Sequence, residues 1–354
     1  MKKVLIAMAA TGLTAGAFAQ SNVTIYGSLD ASVAYVNNIG GNSVMRLDQG
    51  TTQPDRFGFK GNEDLGGGLK ATFQLEGGFA TNTGAMTSAG NLFNRMSTVG
   101  LAGNFGAVTL GHMPDLVFDY AGKLSNGYLL TNWYLFHPGN LDNLANTFQF
   151  NDAVRYTTPD LAGLRLSGMY GFGGVAGNSS EGRNISAGGT YTNGPLTAVL
   201  AYSKLNNRIA GYAGSFLSSV DLGTAGTSIN SLSTLAAGLS YTIGTVKLNT
   251  VYTQTKIDLT SMSPEQKNLD VGAAWHYTPA NALNVGYTRS TLNDGSWNQV
   301  SLGNVYSLSK STDVYVQAAY QRTGGDAKLA FMNGTGLSGG SSQLVTSVGI
   351  HHSF

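Results

Sequence analysis

The sequence predicts an all-β fold, a transmembrane antiparallel β-barrel of about sixteen strands with one loop folded into its lumen. Charged residues are only 11% of the chain, against roughly 25% in ordinary soluble domains. Glycine accounts for 49 of 354 residues, about twice its usual share. No apolar run of about 18 residues follows the N-terminal segment. Most of the chain consists of short stretches of alternating apolar and polar residues, as in strands that face lipid on one side and water on the other.

The first 19 residues have the three parts of a secretory signal peptide. Two lysines form a charged start, an apolar run follows, and Ala17-Phe18-Ala19 is an A-x-A cleavage site. We expect export and removal of residues 1–19, which leaves one barrel domain at 20–354. The remaining 335 residues carry 18 basic and 19 acidic side chains, a balance of −1. This balance argues against nucleic acid as a partner.

The first predicted strand, residues 23–35, shows the alternation that defines the others. Val23 and Ile25 lie on one face and Thr24 on the other, and because side chains alternate across a strand, one face can be apolar while the other is wet. Residues 37–53 are polar and glycine-rich and are predicted as a loop. Further strands are predicted at residues 56–61, 68–79, 93–102, 106–112, 148–157, 163–173, 183–192, 196–205, 233–242, 245–257, 267–278, 282–290, 298–307, 312–322 and 344–354.

Short and long connections alternate along the chain, as expected when one rim of a barrel faces the periplasm and the other faces outside. A tyrosine recurs on the apolar face of the strands beside the short turns, which predicts an aromatic girdle at one membrane interface. The last strand must pair with the first, because an open sheet edge would leave backbone groups unpaired in lipid. The recurring tyrosines are Tyr156, Tyr191, Tyr241, Tyr277 and Tyr306.

Residues 113–147 lack the alternation of the strands and are rich in Tyr, Phe and Leu. They include Asp115, Asp119 and Asp142 but a single lysine. A loop this long inside a compact domain is usually functional, and its aromatic content predicts that it is buried. We expect it to fold into the lumen of the barrel and narrow it; a large external loop is the alternative.

Short motifs are spread over the whole mature chain, namely Ile25-Tyr26-Gly27, Arg56-Phe57-Gly58-Phe59-Lys60-Gly61-Asn62-Glu63-Asp64-Leu65-Gly66, Asn94-Arg95 with Val99-Gly100-Leu101, Val154 with Tyr156, Tyr306-Ser307-Leu308-Ser309-Lys310 and Gly349-Ile350-His351-His352-Ser353-Phe354. In combination they resemble the general porins of Gram-negative outer membranes, most closely the branch of neisserial and Burkholderia-like bacteria. The resemblance implies a homotrimeric outer-membrane channel for passive diffusion of ions and small hydrophilic solutes. It also implies contact with outer-membrane lipid and lipopolysaccharide, and recognition of the terminal Phe354 by the barrel-assembly machinery as an assembly signal.

In that family a wall of arginines faces an acidic third loop across the pore constriction, and the field between them selects ions. The resemblance places Arg56, Lys60 and Arg95 in the basic wall of this chain. It places Asp115 and Asp119 on the facing acidic loop.

Two positions of the constriction depart from the family pattern, because His112 and Gln149 stand where arginine is usual. Simple alternation places Gln149 in the lumen but gives Arg95 and His112 the lipid-facing phase, so these two need a β-bulge or a strand end to reach the pore. Because His112 and Gln149 carry little or no charge at neutral pH, we expect a weakly selective channel, closer to cation preference than its arginine-rich relatives.

No catalytic or metal-binding motif stands out. The five histidines include no H-E-x-x-H frame, and the adjacent His351 and His352 point to opposite faces of a strand. We therefore expect no enzyme activity, no cofactor and no metal. Serine and aspartate are too frequent for the sequence to exclude a Ser-His-Asp triad. An outer-membrane β-barrel hydrolase stays open as an alternative, as does a secreted β-rich adhesin.

Overall fold

The computed structural model describes residues 22–179, 181–209, 211–220 and 228–354. The predicted signal peptide and its cleavage site lie outside these residues. In the part of the chain that is described, no helix is both long and apolar enough to cross a membrane.

The described residues form nineteen strand segments, and seventeen of them make up one closed antiparallel sheet that forms the wall of the molecule. The strands are β1 (Asn22–Ile39), β2 (Asn42–Gln49), β3 (Arg56–Gly66), β4 (Leu69–Gly78), β5 (Met96–Gly103), β6 (Gly106–Pro114), β7 (Gln149–Thr157), β8 (Leu164–Gly171), β9 (Asn184–Asn193), β10 (Leu196–Ile209), β11 (Ser228–Ile243), β12 (Val246–Asp258), β13 (Glu265–Thr278), β14 (Asn281–Leu292), β15 (Gly295–Ser307), β16 (Thr312–Gly325), β17 (Phe331–Met332), β18 (Gly336–Leu337) and β19 (Ser342–Ser353). The short strands β17 and β18 pair only with each other. Both β2 and β3 pair with β1, at successive stretches of its length. They occupy one place in the wall, so the barrel has sixteen strands, as predicted.

The barrel closes between its first and last strands. Nine residue pairs join β1 to β19. Beyond them the Gly27 N–H donates to the Phe354 carbonyl at 3.0 Å, and the Phe354 N–H donates to the Gly27 carbonyl at 3.2 Å. A Cβ on Gly27 would lie 2.2 Å from the Phe354 ring, so only glycine lets the terminal ring pack on the first strand. The predicted pairing of the last strand with the first is confirmed.

Side chains alternate between the lumen and the outer surface along the strands. In β1, Ser28, Asp30 and Ser32 are buried on the lumen side, whereas Val33 and Tyr35 are exposed on the outside. The five tyrosines beside the short turns are each 38–44% exposed, which is consistent with the predicted girdle. The outer surface is therefore apolar and the lumen polar.

Two strand boundaries near the N-terminus differ from the prediction. Residues 37–53, predicted as a loop, contain the end of β1, a turn at Gly40 and Gly41, and all of β2. The prediction failed because β2 is short and adjoins this glycine turn. Strand β3 runs to Gly66 rather than ending at residue 61, because the turn that follows is made by three glycines with positive φ. These are Gly66, Gly67 and Gly68.

The segment near residues 206–231, which separates two of the predicted strands, contains the end of β10, a helix over Gly211–Ser219 and the start of β11. Phe216 of this helix is fully buried. Its ring lies 5.1 Å from that of Trp297 and 5.4 Å from that of Phe331, measured between centroids. Contacts of this kind fill the end of the barrel that carries the long loops.

The long segment between β6 and β7, residues 115–148, lies inside the barrel and is called the inner loop below. Val117 and Leu144 are fully buried against inward side chains of the wall, including Val199 of β10 and Val251 of β12. The alternative of a large external loop is therefore wrong. The segment consists of short helical turns over Val117–Ala121, Gly122–Leu124, Asn126–Leu129, Trp133–Leu135 and Pro138–Asn140.

We expect deletion of Phe354 to lower the free energy of unfolding by about 1–3 kcal/mol, because two backbone hydrogen bonds of about 1 kcal/mol each are lost together with the ring contact. Urea unfolding of the barrel in lipid vesicles, followed by tryptophan fluorescence, measures the change. The control Phe354→Ala keeps both backbone bonds and should fall between the deletion and the unchanged protein. Equal stability of the deletion variant and the unchanged chain would contradict this role of Phe354.

Candidate functional site

Asn126 fixes the middle of the inner loop to the barrel wall. Its backbone N–H donates to Asp270 Oδ2 at 2.9 Å, and its side-chain amide donates to the carbonyls of Val271 and Tyr287 at 3.3 and 3.0 Å. Asn249 Nδ2 in turn donates to Asn126 Oδ1 at 3.0 Å. Asn126 and Asp270 are fully buried, and breaking such a bond leaves a buried polar group unsatisfied, at a cost of about 1–3 kcal/mol.

A second attachment is a buried charge cluster in which His137 lies between two aspartates. His137 Nδ1 is 2.5 Å from Asp142 Oδ2, and His137 Nε2 is 3.1 Å from Asp270 Oδ1. Burial lowers the pKa of His137, but the charges of Asp142 and Asp270 outweigh it and raise the pKa to about 10. Burial raises the pKa of Asp142, but the adjacent His137 outweighs it and brings the pKa below its usual value. The two carboxylates bind opposite nitrogens of the ring, so they do not converge on a point where a metal ion could bind.

The other two aspartates predicted to face the pore, Asp115 and Asp119, also bind to groups of the protein. Asp115 is fully buried and accepts a hydrogen bond from the Phe118 N–H at 2.9 Å; burial raises its pKa to about 6. Asp119 pairs with Lys123 at 3.0 Å and with Arg155. Burial raises the pKa of Asp119, but the Arg155 charge outweighs it, so this pKa lies below its usual value. All three predicted acids of the inner loop are thus occupied by partners in the protein.

The wall facing the inner loop has an inward segment of its own, residues 50–55 between β2 and β3. The buried carboxylate of Asp30 holds this segment, accepting hydrogen bonds from the Thr51 and Thr52 N–H groups at 3.0 and 3.1 Å. From the inner loop, the Trp133 N–H donates to the Thr51 carbonyl at 2.7 Å. This bond joins the two inward segments and bounds the open part of the lumen.

Two cavities share part of their lining where the inner loop approaches residues 50–55. The long-loop cavity, of about 970 Å³, is lined by Asn82 and Thr87 from the connection between β4 and β5. The short-turn cavity, of about 210 Å³, is lined by Asp313 and His351 near the short turn between β15 and β16. The shared lining places the two cavities next to each other, and we call their junction the passage below. It comprises Gly50, Thr51, Pro54, Arg95, Trp133, Ala145 and Asn146.

Arg56 and Arg95 lie beside this passage and share one carboxylate, that of Glu76. Arg95 Nε donates to Glu76 Oε1 at 2.7 Å, and Arg56 Nε lies 3.8 Å from Glu76 Oε2. Arg95 precedes the first residue of β5, so strand alternation does not constrain its direction. Glu76 had no predicted role, although it lies on the polar face of β4, and its partner on β3 is Gly58, two residues from Arg56. The position of Glu76 on the polar face of its strand was the sequence signal that could have identified it.

The remaining predicted residues fall into two groups. Lys60 is exposed and lines neither cavity. His112 and Gln149 both line the long-loop cavity. The pairing of β6 with β7 shifts register between Gly111 and Met113, and this bulge brings His112 to the lumen despite its lipid-facing phase.

Comparison with known proteins gives a consistent result along the whole chain. The family model described as Gram-negative porin matches residues 5–326. Outer membrane porin protein 32 of Delftia acidovorans is 31% identical over 379 aligned residues, covering 100% of both chains. An outer membrane porin of Bordetella pertussis is 27% identical over 418 residues, again covering 100% of both. Among solved structures, the anion-selective porin from Comamonas acidovorans matches with a TM-score of 0.79 and 28% identity, over 95% of this chain and 100% of that chain.

We expect His137→Gln to lower the free energy of unfolding by about 3–5 kcal/mol near neutral pH, because it leaves two buried carboxylates without their cation. The raised pKa of His137 stabilises the folded protein. This stabilisation is fully present below pH 6.5, the ordinary pKa of histidine, and is lost as the pH rises toward about 10. The lowered pKa of Asp142 also stabilises the folded protein, but at the other end of the pH scale. This stabilisation is present above pH 3.8 and is lost as the pH falls through the lower pKa of the folded state.

Urea unfolding of both proteins at several pH values between about 4 and 10 measures this difference. The matched control is His276→Gln, which removes an exposed imidazole of β13 and leaves the cluster intact. An advantage of the unchanged protein over His137→Gln that stayed constant up to pH 10 would contradict the proposed charge state of the cluster.

Proposed function

Because the chain belongs to the Gram-negative porin family, it is an outer-membrane channel for passive diffusion of ions and small hydrophilic solutes, and we propose that the passage between the inner loop and residues 50–55 is its constriction. Its relatives are porins, channel proteins rather than enzymes. The observation that carries the proposal is the shared lining of the two cavities. Solutes that move between the two ends of the lumen pass Arg95 on one side and Trp133 on the other.

The charges along this path favour weak ion selectivity. The long-loop cavity is lined by Asp48, Asp55 and Arg95, a formal charge of −1 with histidine neutral. The short-turn cavity is lined by Arg56, Arg95 and Asp313, a formal charge of +1. Burial raises the pKa of Asp55, which weakens its negative charge at acidic pH. The path thus carries both signs in nearly equal amount.

The source of negative charge differs from the family pattern. The inner-loop acids Asp115 and Asp119 are engaged by protein groups, and the carboxylate beside the arginines is Glu76. The relative from Comamonas acidovorans is named as anion-selective. With Glu76 beside the arginine pair, and with His112 and Gln149 at positions where arginine is usual in the family, we propose that this chain is a weakly selective channel, closer to cation preference than its arginine-rich relatives.

The assembly of the channel is also proposed. Residues 1–19 are removed on export, and the domain at 20–354 forms a homotrimer embedded in outer-membrane lipid and lipopolysaccharide. Membership of the family and the apolar outer face of the strands support this arrangement. The terminal Phe354, paired to Gly27 at the closure of the barrel, is the proposed signal for the barrel-assembly machinery.

We predict that Arg95→Gln and Glu76→Gln shift ion selectivity in opposite directions, the first toward cations and the second toward anions. Each removes one charge beside the passage, where a charge at about 4 Å and an effective dielectric near 20 is worth up to roughly 4 kcal/mol before salt screening. Reversal potential in a KCl gradient across a planar bilayer is the measurement. Arg165→Gln is the control, because Arg165 pairs with Asp160 at an exposed short turn. Shifts of the same sign would refute this account of the passage.

For the trimer we expect chemical crosslinking of the detergent-purified protein to yield a three-chain species, and we expect the protein without crosslinker to dissociate to monomer only on heating. The physical reason is that the apolar outer faces of the strands pack between subunits in the proposed trimer, so heat is needed to separate them. Recovery of monomer alone under the same crosslinking conditions would rule out the trimer.

A further inference from the structure

The short-turn cavity has an aromatic side supplied by the inner loop. Phe118, Tyr128, Trp133 and Phe136 all contribute to its lining. The rings of Trp133 and Phe136 pack edge to face, with centroids 5.3 Å apart and an interplanar angle of 69°. Tyr128 is 43% exposed although it belongs to an otherwise buried loop. The family pattern places acids on this side of a constriction, whereas this chain places rings there.

The opposite side of the same cavity carries two guanidinium groups with unused donors. Arg56 and Arg95 approach Glu76 through their Nε atoms. In the part of the chain that the structure describes, the Nη atoms of both arginines make no hydrogen bond to the protein. Their side chains are only 22% and 15% exposed. Two largely buried arginine forks beside a cavity are suited to a planar carboxylate, which accepts paired N–H donors.

The size of the cavity limits the ligand to a small ring. Its volume is about 210 Å³, whereas an apolar cavity of about 150 Å³ holds benzene in a protein interior. One six-membered ring with a carboxylate fits this space. The remaining carboxylate of the lining, Asp313, accepts a hydrogen bond from the Ser307 hydroxyl at 2.6 Å and lies 3.3 Å from His351 Nδ1.

We propose that the short-turn cavity is a binding site for aromatic monocarboxylates, with the carboxylate held by Arg56 and Arg95 and the ring packed on Tyr128 and Trp133. The proposal rests on the proposed function, because the ligand reaches the cavity through the channel. Ligand sites of this kind are mainly apolar with a few placed polar groups that fix orientation. The site would slow aromatic acids in the channel and raise their local concentration, so that the channel favours them over other small anions.

The test is a blockade measurement on the full-length purified protein in a planar bilayer in KCl. Benzoate should reduce the current in a saturable, concentration-dependent manner. Acetate lacks the ring and benzamide lacks the charge, so each should be at least about tenfold less potent, the scale expected when a contact to a charged group or an aromatic contact is lost. Because this series uses the unchanged protein, its result does not depend on the folding of any variant.

Two variants then assign the site. Arg95→Gln and Tyr128→Leu should each weaken benzoate blockade about tenfold, as expected for the loss of one charged or aromatic contact. The controls Arg165→Gln and Phe93→Leu, the latter in the lining of the long-loop cavity only, should leave the potency of benzoate unchanged. Benzoate no more potent than acetate, or blockade insensitive to both Arg95→Gln and Tyr128→Leu, overturns the proposed site while KCl conductance upholds the channel. Absence of KCl conductance would instead overturn the proposed function.

Discussion

Every strand of this protein depends on one requirement, that its backbone N–H and C=O groups find partners within the chain because lipid offers none. The first strand meets this requirement twice. It pairs with the last strand along nine residues, and with β2 and β3 in turn on its other side. The break between β2 and β3 is tolerated because residues 50–55 turn into the lumen, where the buried Asp30 carboxylate replaces the missing sheet partners.

The same requirement explains how the inner loop is held. A loop that crosses the lumen cannot use the sheet ladder, so its backbone and side chains bond to polar residues that the strands direct inward. Asn126 and the His137 cluster both attach to Asp270 of β13. Burying three charged groups costs desolvation free energy, and that cost is offset only while His137 keeps its proton. The His137 cluster therefore helps to hold in place the inner loop, which contributes Trp133 to the passage.

The inner loop uses its acids for attachment and its rings for lining. Asp142 supports the His137 cluster and Asp119 pairs with Lys123 and Arg155, whereas Tyr128 and Trp133 border the open lumen. Two arginines therefore face an aromatic surface, with Glu76 between them as the local counter-charge. The path through the lumen thus combines a weak net charge with the proposed binding site for planar anions in the short-turn cavity.

The sequence by itself determined the barrel, because period-2 alternation in segments of strand length, bounded by short turns, depends only on local residue types, as in residues 23–35. It also predicted that residues 113–147 are buried, because they are rich in aromatic rings, but it left a large external loop open as the alternative. Only the tertiary structure decided which charges face the passage. The aspartates of the inner loop are close in the sequence to lining rings, but Asp119 pairs with Arg155 of β7 and Asp142 accepts a hydrogen bond from Thr253 of β12. Likewise, His112 reaches the lumen through a bulge whose register is set by pairing with β7. The charged residues can be counted in the sequence. The direction in which each charged side chain points depends on contacts that exist only once the barrel has closed.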